Sequence, residues 1–163
     1  MSARAPFERL VERHRAEIGA YLRRLMGDAH EAEDVAQDTW LRAHRAFGRL
    51  PADANTRAWL YRIATNRART ALRQRTTARQ RTSAVDLDGV AGRRVDPTDA
   101  LMIPAVARAV RRLPAKQRAA LVARRFHDLG YDEIGLALGC SAESARANVY
   151  QAVRKLREWL EHP

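Results

Sequence analysis

Residues 130–159 have the sequence GYDEIGLALGCSAESARANVYQAVRKLREW, which predicts two helices joined by a tight turn. Gly139 can adopt the positive φ that a sharp turn requires, and Ser141 can cap the helix that follows it. The first helix is expected to be apolar on the side that carries Tyr131, Ile134, Leu136 and Leu138. The second helix has an apolar stripe at steps of three and four residues, formed by Ala145, Val149, Ala152, Val153, Leu156, Trp159 and Leu160.

The opposite face of this second helix is basic and rich in amides, with Arg146, Asn148, Gln151, Arg154 and Lys155. A short helix, a turn containing glycine and a longer polar-faced helix are typical of the DNA-binding helix-turn-helix. Asparagine and glutamine can pair with adenine, and arginine can pair with guanine or phosphate. The alternative is a plain helical hairpin with a solvated polar face. This segment alone does not decide between the two.

The composition indicates a soluble globular chain with a polyanionic partner. Of the 163 residues, 46% are hydrophobic and 30% are charged, and the net charge is +11. Such an excess favours nucleic acid, or an anionic membrane surface, as the partner. No apolar run approaches the ~20 residues that span a bilayer, and the N-terminus lacks the apolar core of a secretion signal. We therefore expect a cytoplasmic protein without membrane insertion, in which the single cysteine, Cys140, has a structural place in the turn.

Two helices are predicted near the N-terminus, over about 6–26 and 28–47, with Gly27 ending the first and Asp28 beginning the second. The second helix is acidic, with no lysine or arginine before position 42. Carboxylates in a first turn complement the helix dipole, but this explanation does not extend to those further along the helix. Asp34, Gln37, Asp38 and Leu41 follow at helical spacing and form one face. This face predicts docking of a basic protein partner, and a merely solvated face is the alternative.

A loop over 48–56 is followed by a third helix that is predicted from about Thr56 to beyond Arg75, with Trp59 in its apolar stripe. No acidic residue lies between Asp53 and Asp86. The same stretch carries Arg57, Arg62, Arg67, Arg69, Arg73, Arg75, Arg79 and Arg81. A phosphate backbone would relieve the repulsion between these charges. Tyr61, Arg62, Thr65 and Asn66 lie beside the stripe, and such a mixture can hold phosphates and an exposed base.

Residues 82–99, TSAVDLDGVAGRRVDPTD, have no sustained period and predict a flexible linker. The linker, taken as 83–99, separates a domain over 1–82 from a domain over 100–163. In the second domain Pro104 is expected in a first turn or at a kink, and Pro114 is expected to open a helix. That helix should direct Leu121, Val122 and Phe126 inward and Lys116, Arg118, Arg124 and Arg125 outward.

No strand pattern is present, so the predicted fold class is all-α: two small helical domains joined by a flexible linker, the C-terminal one containing the helix-turn-helix. The sequence also has no phosphate-cradling glycine loop, nucleophile elbow or paired histidines with metal spacing. We therefore expect no catalytic activity, no metal and no cofactor.

Three motifs together resemble the extracytoplasmic-function sigma factors of bacteria. They are AEDVAQDTWLRAHRAF (32–47), RAWLYRIATNRA (57–68) and LPAKQRAALVARRFHDLGYDEIGLALGCSAESARANV (113–149), in the family's order. The resemblance implies a subunit of RNA polymerase that recognises promoters, with sigma region 2 over 1–82 and region 4 over 100–163. The implied partners are the clamp and flap of core RNA polymerase, promoter DNA as duplex and as opened non-template strand, and an anti-sigma factor.

The resemblance also implies three sets of site residues. Polymerase-binding residues would be Asp34, Gln37, Asp38 and Leu41. Residues binding the minus-ten element would be Asn55, Arg57, Tyr61, Arg62, Asn66, Arg67, Arg69 and Arg73, with Asn66 in the pocket for a flipped base. Residues binding the minus-thirty-five element would be Ser144, Arg146, Ala147, Asn148, Tyr150, Gln151 and Arg154.

Three other classes of function account for less of the sequence. A free-standing helix-turn-helix regulator that binds duplex DNA leaves the acidic helix and the 48–56 loop unexplained. An RNA-binding or membrane-surface protein that uses the arginine-rich helix leaves the helix-turn-helix unused. A nucleic-acid-processing enzyme would need catalytic residues, and none can be named. The sequence therefore favours the polymerase subunit.

Overall fold

The protein is described here by a computed structural model that covers residues 4–82 and 104–162, in which all regular structure is α-helical. The seven helices are α1 (Arg4–Met26), α2 (Ala29–Phe47), α3 (Thr56–Thr82), α4 (Pro104–Arg112), α5 (Ala115–Phe126), α6 (Tyr131–Leu138) and α7 (Ala142–Glu161). The all-α prediction is confirmed. The predicted linker 83–99 and the boundary at residue 100 lie outside the described residues.

Helices α1–α3 form the N-terminal unit, and local signals set their ends. Gly27 follows α1 with φ 66°, a left-handed conformation that suits glycine. The Asp28 carboxylate accepts the Glu31 N–H at 2.9 Å and caps α2. Asn55 caps α3, since its Oδ1 accepts the Ala58 N–H at 3.0 Å. The core of this unit is closed by fully buried side chains that include Ile18, Leu22, Leu25, Met26, Leu60 and Ala64.

Helices α4–α7 form the C-terminal unit, which contains the predicted helix-turn-helix. Pro104 is the first residue of α4, and Pro114 immediately precedes α5. Gly139 has φ 67°, and the Ser141 hydroxyl accepts the Ser144 N–H at 3.1 Å. Gly135 faces the turn so closely that a Cβ there would lie 2.6 Å from the carbonyl oxygen of Cys140. A glycine inside α6 therefore lets the turn fold back onto the helix.

Four side-chain placements expected from the sequence are wrong. Leu136 is 51% exposed, because Ile134, Ala137 and Leu138 already fill the inner face of the short helix α6. Leu160 is 41% exposed, because it lies near the end of α7, beyond the part of that helix that packs on the core. Phe126 is 41% exposed and lies under the guanidinium of Arg24, at 4.6 Å from the ring centroid. Arg118 does not point outward, since its Nη1 donates to the carbonyl of Leu25 at 2.8 Å.

The two units pack against each other, α1 against α5 and α3 against α5 and α6. Their buried side chains form one continuous cluster. Among the described helices, none combines the length and the apolar character needed to cross a membrane.

Candidate nucleic-acid and protein interfaces

An acidic and apolar face on α2 carries the residues predicted to bind polymerase. Asp34 and Gln37 are exposed, and Leu41 is 57% exposed. Within residues 4–82 and 104–162, the one ion-pair contact of Asp34 is a long one, at 4.0 Å, with the exposed His30. An exposed leucine flanked by carboxylate and amide groups provides an apolar contact within a polar rim, which suits protein docking.

Asp38 differs from the other members of this face because it is directed toward α3. Its Oδ2 accepts from Arg42 Nε at 3.4 Å and pairs with the guanidinium of Arg67. The side chain of Asp38 is 38% exposed. The carboxylate thus ties the acidic face to the arginine-rich helix and orients Arg67. Asp38 contributes to the geometry of both surfaces.

A cavity of about 480 Å³ lies between α2 and α3, and its wall includes Arg42 and Arg67, the two ion-pair partners of Asp38. Its apolar wall includes Trp59 and Ile63, and Asn66 and Thr70 supply polar groups. The remaining wall is cationic, with Arg42, Arg45, Arg49 and Arg67. Trp59 packs against the core, as expected, and also lines this cavity. An aromatic wall, an amide and four guanidinium groups are suited to a base and its phosphates.

The other predicted minus-ten residues are spread along α3 with different exposure. Arg62, Asn66 and Arg73 are exposed, and Arg69 and Arg73 line a second cleft, of about 340 Å³, between α3 and helices α4 and α5. Arg57 is half-buried, and Tyr61 is fully buried. In this arrangement of the two units Tyr61 therefore has no surface to offer a base.

Arg57 and Tyr61 belong to a buried polar network centred on Glu17 of α1. Glu17 Oε2 accepts from Arg57 Nη2 at 2.9 Å and from the Tyr61 hydroxyl at 2.8 Å. Burial alone would raise the pKa of Glu17, but hydrogen bonds from Arg57, His14 and Tyr61 outweigh it and lower that pKa to about 2. Burial, followed by the contacts with Glu17, raises the pKa of the Tyr61 hydroxyl. Glu17 is therefore ionised at neutral pH and forms an ion pair with Arg57.

His127, which follows α5, completes this network from the C-terminal unit. Its ring centroid lies 5.5 Å from that of Tyr21 and 5.8 Å from that of Tyr61, and its Nε2 is 3.3 Å from Arg24 Nη1. Burial, together with the positive charges of Arg24 and Arg57, lowers the pKa of His127 to about 4, although Glu17 opposes the shift. The imidazole is therefore neutral at physiological pH and accepts a hydrogen bond from Arg24.

The outward face of α7 carries the residues predicted to bind the minus-thirty-five element. Five of them are exposed: Arg146, Ala147, Tyr150, Gln151 and Arg154. Ser144 and Asn148 are half-buried at the edge of this face, where the Asn148 amide donates to the Ser144 carbonyl at 2.8 Å. Gln151 Oε1 accepts from Gln117 of α5 at 2.9 Å, which leaves the Gln151 NH₂ group available as a donor.

Sequence reasoning missed the contributions of Glu17, His127 and Glu133. Glu133 Oε1 accepts from Asn55 Nδ2 at 3.2 Å, so the first helix of the helix-turn-helix contacts the start of α3. Glu133 lies three residues after the glycine that precedes α6, and this spacing is a recognisable capping signal. No local pattern indicated that these side chains would meet across units separated by the 83–99 segment.

Comparison with protein families identifies both units. Residues 10–78 match the family model of sigma-70 region 2, and residues 104–156 match that of sigma-70 region 4. The two matches cover α1–α3 and α4–α7 respectively, apart from the helix ends.

Whole-chain relatives agree with these matches. The chain is 31% identical to the RNA polymerase sigma factor CarQ of Myxococcus xanthus, over 97% of this chain and 91% of that protein. It is also 31% identical to the ECF RNA polymerase sigma factor SigM of Mycobacterium tuberculosis, over 96% of this chain and 78% of that protein.

Among solved structures, the sigma factor RpoE of Bartonella quintana, in a co-crystal with the anti-sigma factor NepR, has the same fold. The TM-score is 0.77 at 24% identity, and the match covers 96% of this chain and 98% of that one. The two region matches and the relatives that align along nearly the whole chain lead to one conclusion: this protein belongs to the extracytoplasmic-function sigma factors, the alternative sigma factors that direct transcription initiation.

Proposed function

We propose that the three surfaces described above divide the work of initiation among them. The acidic and apolar face of α2 binds the clamp of core RNA polymerase. The cavity at Asn66 takes a base from the opened non-template strand, and the outward face of α7 reads duplex DNA at the minus-thirty-five element. Region 4 also contacts the polymerase flap, and an anti-sigma factor regulates the chain. This work takes place in the cytoplasm.

The observation that carries the proposal is the position of the cavity relative to the acidic face. Both are built on the α2–α3 pair, and Asp38 connects them through Arg67. Polymerase docked on Leu41 and Asp34 would therefore hold the cavity at a fixed place relative to the DNA that the enzyme carries. Anionic DNA suits the arginine wall, whereas a basic clamp suits the carboxylates on the other side.

No bond is made or broken by such a subunit, and sigma factors in general are transcription initiation factors without enzymatic activity. Opening is favoured because the flipped base gains contacts in the cavity that a stacked base does not have. Arginines along α3 hold the adjacent phosphates, which supplies affinity and register, while a few side chains specify bases. The free-standing regulator is not favoured, since region 2 is a match in its own right.

Charge reversal on the α2 face provides the test. Asp34→Lys combined with Leu41→Ala is expected to weaken binding to core polymerase at least about tenfold, because a repulsive charge replaces an attractive one and the apolar contact is lost. Asp38 is left unchanged because its ion pairs with Arg42 and Arg67 support the fold. Run-off transcription and binding to core enzyme are the measurements. Glu33→Lys, an exposed charge reversal on the same helix, is the matched control. Equal effects of the two variants would refute the assignment.

A further inference from the structure

The amide of Gln151, on the outward face of α7, is held by a second glutamine. Gln117 lies in the first turn of α5, and its Nε2 donates to Gln151 Oε1 at 2.9 Å. Helices α5 and α7 pack against each other, and the small buried residues Ala120 and Ala152 lie close to these two glutamines in the sequence. The packing of α5 on α7 therefore fixes where the two amides meet.

The burial of Gln117 decides which way the two amides face. Gln117 Oε1 is buried and, among the described residues, has no hydrogen-bond partner. Exchange of oxygen and nitrogen in both amides would keep the hydrogen bond, with Gln151 as its donor, but would place the Gln117 NH₂ group in the buried position. Two buried N–H donors would then lack partners in place of one carbonyl oxygen, and each unsatisfied buried group costs free energy. The orientation in which Gln117 donates is therefore favoured.

An amide held in this way changes what Gln151 can read. A glutamine that is free to turn pairs with adenine through both its oxygen and its NH₂ group. Because Oε1 of Gln151 is turned toward α5, its NH₂ group is the part that faces the DNA. In the major groove guanine presents N7 and O6 as acceptors and thymine presents O4, whereas adenine has a donor beside its N7 and cytosine presents a donor. A glutamine that only donates therefore favours guanine, then thymine.

The other amide on this face is less accessible to a base. Asn148 is half-buried, and its Nδ2 donates to the Ser144 carbonyl at 2.8 Å, back along its own helix. Gln151 is exposed. Gln151 is therefore the amide that meets the major groove, and its orientation matters for the choice of base.

We propose that Gln117 is a positioning residue that sets the base specificity of Gln151, so that Gln151 selects guanine over adenine at one position of the minus-thirty-five element. The inference rests on the proposed role of α7 in reading duplex DNA. Gln117 needs no contact with DNA of its own, since it acts through its hydrogen bond to Gln151. Adenine could gain its bidentate pair only by breaking this hydrogen bond, and that cost lowers its affinity.

Substitutions at position 117 test the proposal without altering the proposed DNA-binding residues. Gln117→Glu replaces the donor with a carboxylate, which accepts from the Gln151 NH₂ group and turns Oε1 toward the DNA. A carboxylate in the first turn of α5 also complements the helix dipole, so the helix is retained. Gln117→Leu keeps a similar size but forms no hydrogen bond, so the Gln151 amide is free to turn. Lys116→Gln is the matched control, since it makes the same turn less positive to the same extent and leaves both glutamines unchanged.

The measurement is the enrichment of promoter duplexes by the reconstituted holoenzyme from a pool with a randomised minus-thirty-five element. Gln151→Ala first identifies the contacted base pair as the position whose preference it removes. There the wild type and Lys116→Gln are expected to favour guanine over adenine about fivefold, in line with one base contact. Gln117→Glu should instead favour adenine or cytosine on the same strand, and Gln117→Leu should bring adenine to within about twofold of guanine.

A wild-type preference for adenine at this position would overturn the inference, and so would a guanine preference that both changes at position 117 leave unaltered. If Gln151→Ala alters no preference at any position, the proposed reading by α7 fails together with the inference. The inference alone fails when Gln151→Ala removes a preference that neither Gln117→Glu nor Gln117→Leu changes. Circular dichroism shows whether each variant retains its helices, and Gln117→Leu decides the outcome if Gln117→Glu has lost helix.

Discussion

A buried histidine makes the contact between the two units sensitive to acid. His127 is 8% exposed, and its pKa is lowered from 6.5 to about 4 by burial and by Arg24 and Arg57, against the opposing effect of Glu17. The unfolded chain binds a proton near pH 6.5, and the folded chain does so only near pH 4. The contribution of neutral His127 to the free energy of unfolding is therefore fully present above pH 6.5 and is lost as the pH falls toward 4.

We expect the free energy of unfolding to fall between pH 6.5 and 4.5, by up to about 1.4 kcal/mol per pH unit for one proton. Glu17 does not interfere, because its lowered pKa places its own loss of stability between pH 4.5 and about 2. Urea unfolding across the pH range measures this slope. His127→Phe retains a ring between Tyr21 and Tyr61 and should remove most of it. An unchanged slope in that variant would assign the acid sensitivity to another group.

Asn66 is the polar group in the α2–α3 cavity that is best placed to distinguish opening from binding. Asn66→Ala should reduce promoter opening, measured by permanganate reactivity of unpaired thymines, about tenfold, in line with the loss of one base contact. Binding of the holoenzyme to closed duplex should change little. Gln74→Ala, an exposed amide on the same helix outside this cavity, is the control. Equal losses in opening and duplex binding would contradict a pocket role.

At the scale of helices, helix propensity and packing favour different residues at position 135 of α6, where the chain has Gly135. Alanine is favoured over glycine within a helix by about 1 kcal/mol. A Cβ at position 135, however, would lie 2.6 Å from the Cys140 carbonyl oxygen, where the backbone of the turn must shift. Overpacking of this kind costs about 1–3 kcal/mol, so Gly135→Ala should be destabilising overall. Urea unfolding is the measurement, with Gly48→Ala, which has open space around it, as the neutral control. A stabilised Gly135→Ala would show that the turn yields easily.

The helices themselves were predictable because the signals that determine them are local. Gly27 correctly predicted the end of α1, and Asp28, Pro114 and Ser141 predicted the starts of α2, α5 and α7 to within one residue. Phe126 was misplaced for the opposite reason: an aromatic ring in an apolar stripe was read as core, but its partner is Arg24, about a hundred residues away in the chain. The contacts of Glu133 with Asn55 and Arg57 have the same origin. Pairings between polar side chains that are far apart in the sequence produce no periodic pattern from which they could be predicted.

The whole molecule is cationic in both of its units, and this opposes their close approach. Residues 4–82 carry 17 Lys and Arg against nine Asp and Glu, and residues 104–162 carry 11 against six. Net charges of +8 and +5 at roughly 25 Å in water repel by about 6–7 kcal/mol without salt. An exposed ion pair such as the one between Arg57 and Glu133 contributes at most about 1 kcal/mol. Long-range repulsion is therefore the larger electrostatic effect at low ionic strength.

Salt should for this reason compact the free chain rather than open it. The Debye length shortens from about 30 Å at 0.01 M to about 8 Å at 0.15 M, so repulsion between the units nearly vanishes while packing of the shared core is retained. The radius of gyration from scattering is expected to decrease over this range. Asp132→Asn, which raises the charge without touching the interface, should need slightly more salt to reach the same radius. Expansion with added salt would mean that short-range ion pairs across α3 and α6 outweigh the net charges.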